Sequence, residues 1–234
     1  MKKFTISLVT LAFFGCTDTE NQNVKSSGPS LTVQVPEGEF FFGANNGAKD
    51  EGPQRTLFLD TFSIDRFEVS NEKYREFVNA TGHKAPKGWL FKGYDASLAK
   101  HPVVLIDYED ATTYCQWLGK RLPTEEEWEK AARGVDGREY PWGDQFNKNY
   151  ANTGILKEKR TVPVDSLKEG VSPYGAYNMS GNVWEWTSTA GQNENRKIVK
   201  GGSWGLSHRF SRTFSRADYA KTDKTNNIGF RCAL

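Results

Sequence analysis

Apolar stretches in this chain are short, and glycine or proline cuts most of them. Twenty-two glycines and nine prolines are spread through 234 residues, which rules out a helical bundle or a regular alternation of long helices and strands. Large side chains must supply the core instead. Aromatic residues make up 13 % of the chain, enough for one domain of about 200 residues to bury an interior of its own. The pattern predicts a compact α+β domain with much irregular loop. Charge removes one class of partner: without Lys2 and Lys3, 29 basic side chains face 29 acidic ones, and such a balance offers nucleic acid no bulk attraction.

Residues 1–16 read differently from the rest. Lys2 and Lys3 precede an apolar run from Phe4 to Phe14 that ends in Gly15-Cys16; the run is too short for a finished transmembrane helix and has the layout of an export signal. Gly before Cys resembles the lipobox of bacterial lipoproteins, although Phe13 stands where Leu is usual. Lipid on Cys16 is therefore expected, giving an exported, membrane-anchored lipoprotein that faces the periplasm or the cell surface. Residues 17–33 are assigned to a tether, lacking any apolar period up to residue 30. The domain is expected over 34–234.

Within the domain, Leu31–Val35 alternates and Glu39–Gly43 is a short apolar run, so both predict strands, with Phe58–Val69 as more strand. Ser70 can cap a helix whose inner face is Tyr74, Phe77 and Val78, with Gly82 past its end. Residues 83–100 carry no period and predict a loop with Trp89, Leu90 and Phe91 packed beneath it. Asp107 can cap a second helix burying Ala111, Tyr114, Cys115 and Leu118. Thr124 with Glu127 forms a capping box for a third, buried through Trp128, Ala131 and Ala132. Glu125 to Glu127 are read as capping and solvated acids, not as catalytic carboxylates.

Four motifs remain that periodicity does not explain. They are Lys120-Arg-Leu-Pro-Thr-Glu-Glu-Glu-Trp128, Tyr140-Pro-Trp-Gly143, Tyr177-Asn-Met-Ser-Gly-Asn-Val-Trp-Glu-Trp186, and Lys200-Gly-Gly-Ser-Trp204 running on to Asn226-Asn-Ile-Gly-Phe-Arg-Cys232. In that order they resemble the formylglycine-generating enzyme (sulfatase-modifying factor) family, whose fold is related to that of C-type lectins. The resemblance implies a disulfide between Cys115 and Cys232, which are also the pair left in an oxidising compartment if Cys16 is lipidated; two buried free thiols are the alternative. It further implies a structural calcium site, with side-chain oxygens from Asn178 and Glu185 and backbone carbonyls from Gly181 and Val183. The residues alone would equally make Ser180-Gly181 a turn before a strand that buries Trp184 and Trp186. A second calcium site of the family begins at Asn152 and Thr153, but its acidic partner falls in a segment shortened here between Thr153 and Tyr174, which leaves that site incomplete.

Enzymes of the family oxidise a substrate cysteine with two Cu(I)-binding thiolates placed shortly after Gly-Gly-Ser. Counted from Ser203, those positions fall on Leu206, or on Ser207 with a shift of one, and on Ser211. Hydroxyl and alkyl groups do not replace soft thiolates on Cu(I), so copper is not expected and no catalytic residue is assigned. Ser207, His208 and Ser211 could suggest a hydrolase, yet no acid that would orient His208 can be named. A surface remains. Arg196, Lys197, Lys200, Arg209, Arg212 and Arg216 occur with no acid up to Ala217, interleaved with aromatics, and the family's substrate groove is lined by this segment. Ser203, Trp204, His208, Arg209 and Arg212 are the candidate ligand-binding groove; pairing of some of these arginines with Glu125 to Glu129 is the competing expectation. The reading favours a non-catalytic lipoprotein that binds an envelope protein or glycan and is held to the membrane through Cys16. Its alternatives are a formylglycine-generating or related oxidoreductase acting on an exported substrate, and a variable ligand-binding receptor of a diversity-generating retroelement.

Overall fold

A computed structural model describes Met1 and residues 31–154 and 160–234; the export signal, Cys16 and nearly all of the tether lie outside the described residues. The chain begins with β1 (Thr32–Val35) and β2 (Gly38–Phe42), then β3 (Arg55–Leu59) and β4 (Phe62–Asp65). β1 pairs with β4 and β2 with β3, both antiparallel. The single strand expected over Phe58–Val69 is thus two. At Asp60-Thr61 the chain leaves one ladder for the other, and the Thr61 hydroxyl accepts a bond from the Glu37 amide, at the matching corner between β1 and β2. β1 also starts inside the stretch assigned to the tether, because Val33 pairs with Ile64 and is buried.

Four α-helices follow among the described residues: α1 (Asn71–Thr81), α2 (Lys87–Lys92), α3 (Tyr108–Trp117) and α4 (Glu125–Arg133). The start of each long one is written locally. Ser70, Asp107 and Thr124 accept the bonds of the first turns of α1, α3 and α4, with capping boxes at the latter two, which satisfies amides that have no partner within the helix. Gly82 ends α1 in the left-handed conformation. Two expectations fail. Leu118 is 43 % exposed, because α3 stops at Trp117 and Leu118 falls past the buried face. Residues 83–100 are not all loop: α2 lies within them, and of its three large apolar side chains only Trp89 packs inward.

The last strands, β5 (Trp184–Ala190), β6 (Arg196–Lys200), β7 (Arg216–Ala220) and β8 (Ile228–Gly229), form one sheet in the order β7-β6-β5-β8, with only β5 and β8 parallel. One apolar cluster fills the space between this sheet, α1 and α3: Tyr74, Phe77, Tyr114, Trp184, Trp186 and Phe230 meet there around the Cys115–Cys232 disulfide. A second cluster packs α4, through Trp128, Ala131 and Ala132, on β1 and β4. Glu125, Glu127 and Glu129 are buried, so the expected solvated acidic turn is corrected. Lys200 at the end of β6 reaches Glu129 (2.9 Å) and Glu125 (3.5 Å), and Arg133 pairs with Glu129 at 2.8 Å. The two Lys200 pairs bolt α4 to the sheet.

Candidate functional site

The segment that resembles an active site leaves β6 through Gly201 and Gly202, with φ of 98° and 76°. A β-carbon at Gly202 would lie 2.4 Å from the Ser211 hydroxyl and 2.6 Å from the Phe210 carbonyl, so only glycine lets the two passes of chain touch. Ser203 is fully buried and accepts a bond from the Asn227 amide (3.3 Å). Leu206 packs on the core, and its carbonyl takes the Gly154 amide at 2.7 Å. Ser207 caps the short turn His208–Ser211. Ser211 is buried; its carbonyl accepts from Ser180 (2.7 Å), while its own hydroxyl has no partner. At the positions that would hold thiols there is an aliphatic side chain, a capping hydroxyl and a buried hydroxyl. The cysteines of the folded domain, Cys115 and Cys232, are joined to each other with a Cα separation of 5.6 Å.

The basic run is largely internal. Arg196 pairs with Asp218 (2.9 Å), Arg212 with Glu51 (3.5 Å) and Arg216 with Glu125 (2.8 Å). Lys200 is buried between Glu125 and Glu129, and Lys197 donates to the Ser188 carbonyl. Arg212 also lies over the Phe214 ring. Among the described residues Arg209 is the one member of the six whose side chain has no partner, and it is exposed. The expected groove therefore divides. Trp204 turns toward the Asn226 carbonyl (3.4 Å), whereas His208 stacks on Phe146 with 4.4 Å between centroids and bonds the Tyr140 hydroxyl through Nδ1 at 3.0 Å. Tyr140 is itself stacked on Trp142, which meets Tyr150 edge-on. This aromatic support under His208 was missed from sequence, although Tyr140-Pro-Trp-Gly143 is its signal.

The Asn178–Glu185 turn runs through left-handed conformations at Asn178, Gly181 and Asn182. Here the structure adds a residue that sequence reasoning passed over, Glu68. Its carboxylate accepts from the Asn178 amide (2.7 Å) and from the Asn182 amide (2.8 Å). Burial pushes the Glu68 carboxyl up to about 8, Glu185 adds to the rise, and Arg231 and the two amides oppose it. Glu185 accepts two bonds from Arg231 and one from the Trp128 indole, each at 2.7 Å. Two buried carboxylates thus share one guanidinium. The Asn178 Oδ1 has no partner, nor do Asn152 Oδ1 and Thr153 Oγ1; Asn152 adjoins this turn, bridging Gly181 and donating to Asn182 Oδ1. Unpartnered buried amide oxygens beside two buried carboxyl groups suit a hard, oxygen-seeking cation.

The family model described as the sulfatase-modifying factor enzyme 1-like domain matches residues 17–234. Among curated proteins, the inactive C-alpha-formylglycine-generating enzyme 2 of Bos taurus is 32 % identical over 86 % of this chain and 87 % of its own length. The formylglycine-generating enzyme of the same species is 30 % identical over 89 % and 76 %. Among solved structures, PvdO from Pseudomonas aeruginosa superposes with a TM-score of 0.73 at 26 % identity, covering 86 % of this chain and 93 % of that one. Treponema denticola variable protein 1 shares the fold, with a TM-score of 0.75 at 20 % identity over 87 % and 94 %.

Proposed function

This chain belongs to the sulfatase-modifying factor enzyme 1-like family, and on that premise we propose that it is a non-catalytic member, an envelope lipoprotein anchored through Cys16 that binds a protein or glycan. One observation carries the reading: the two thiol positions fall on Leu206 or Ser207, and on Ser211, and the two cysteines of the domain are consumed by a disulfide. A relative named as inactive, 32 % identical to this chain, supports it. The oxidoreductase reading rests on comparable identity to formylglycine-generating enzymes but lacks a ligand set for copper.

The binding face is the surface around His208 and Arg209, with Trp142 beside it. Arg209 is free to fork onto a carboxylate or phosphate, while Arg212 is tied into the fold. Arg209→Glu is expected to lower retention of the natural partner from envelope extracts by about tenfold or more, the scale of a lost interface anchor, with the thermal midpoint unchanged. Unimpaired retention by the folded variant would move the binding face elsewhere.

The reading includes one structural calcium ion at Asn178, Gly181, Val183 and Glu185, with Glu68 alongside. It is supported by the open Asn178 oxygen and by Glu68, a second buried carboxyl beside the Arg231–Glu185 pair. An ion bound only by the folded state stabilises it by about 2.7 kcal/mol at a hundredfold excess over Kd, so chelation should lower the midpoint and elemental analysis should return about one calcium per chain. An unchanged midpoint together with a metal-free protein would reject the site.

A further inference from the structure

We propose that α2 is a second membrane contact, which lays Leu90 and Phe91 into the interface of an anionic bilayer. These are the two most exposed large apolar side chains among the described residues of the domain, at 69 % and 78 %. The helix is short, bounded by Pro86 and Gly93, and held from beneath by one residue, Trp89, whose ring packs on Tyr74 and Tyr94. With Trp89 pointing in, the next two side chains are carried round the helix toward solvent. Their exposure follows from the way α2 is anchored.

Charge selects the occupant. From Phe77 to Tyr94 the chain has no acidic residue. Lys84, Lys87 and Lys92 are exposed in that stretch, and among the described residues none of their ammonium groups has a partner. The flanking acids are occupied locally: Glu76 pairs with Lys73, and Asp95 accepts from Ser97. Free ammonium groups on long stems around two projecting apolar tips match phosphate headgroups above acyl chains. Among the described residues no helix is long and apolar enough to cross a membrane, so the contact is interfacial. The proposed lipid on Cys16 would supply proximity, but the contact itself depends on α2 alone.

The test uses the full chain reconstituted in vesicles, with an environment-sensitive fluorophore on Leu90→Cys and nitroxide quenchers on the acyl chains. In vesicles of phosphatidylglycerol and phosphatidylcholine the label should shift to the blue and be quenched, and in pure phosphatidylcholine much less so. Lys84→Glu, Lys87→Glu and Lys92→Glu together should abolish the signal, since each lysine near an anionic surface is worth about fivefold in partitioning. A label that stays aqueous on anionic vesicles overturns the proposal. Shielding that appears only when envelope proteins are added overturns it too, and makes α2 a protein-docking site. The mass of acylated Cys16, read separately, reports on the anchor, so failure of that reading is not mistaken for failure of this one.

Discussion

Replacing Cys115 and Cys232 together by alanine is expected to cost the domain about 4 to 5 kcal/mol, the chain-entropy value for cross-linking residues more than a hundred apart and an upper figure. The two cysteines are separated by 117 positions and join α3 to the segment after β8. That bond lies inside the larger apolar cluster, among Tyr114, Phe230 and Leu122. Opening it frees the C-terminal segment that carries Arg231 and the Ala233 pairings to Ile64 and Arg121. A domain of this size has about 5 to 15 kcal/mol to lose, so the variant should unfold at a much lower denaturant concentration. A midpoint within error of the parent would show that the sulfur bridge contributes little.

Arg231→Met should be nearly as damaging. Arg231 is fully buried, grips Glu185 with two bonds, and donates to the carbonyls of Asp65, Arg66 and Tyr177. Removing one partner of a buried ion pair costs about 3 to 5 kcal/mol, because the other charge stays uncompensated, and here Glu185 would be left charged beside the buried Glu68 carboxyl. The account makes a sharper demand of the double variant Arg231→Met, Glu185→Gln. Glutamine still offers an oxygen to the Trp128 indole, yet carries no charge, so the pair should be clearly more stable than Arg231→Met alone. A double variant as unstable as the single one would place the loss in the bonds from Arg231 to the carbonyls of Asp65, Arg66 and Tyr177 instead.

What the sequence disclosed follows the range of the forces involved. Helix starts at Ser70, Asp107 and Thr124 were legible because a cap and its box span three or four residues. The fold was legible through motif resemblance. Most pairings between distant residues were not, apart from the Cys115–Cys232 bridge that the resemblance implied and the competing pairing of an arginine with Glu125. Lys200 finds Glu129 across 71 positions, and Arg216 finds Glu125 across 91, which turned an apparent basic groove into internal ion pairs with Arg209 left outside. Glu68 escaped for the same reason, since its partners Asn178 and Asn182 lie more than a hundred positions away. A lone acid between Phe67 and Val69 was its one local sign. Leu90 and Phe91 failed differently: apolar composition suggested burial, but a two-turn helix anchored by Trp89 has only one inner face.

The central claim is that the family scaffold here has lost its oxidative chemistry and kept a binding surface. It is tested most directly by incubating the folded, copper-loaded protein with a sulfatase-motif peptide under oxygen and measuring aldehyde by mass spectrometry, with a formylglycine-generating enzyme as the positive control. The account predicts an unchanged cysteine in the peptide, since Leu206, Ser207 and Ser211 offer no thiolate to the metal. Formylglycine in the product would contradict it.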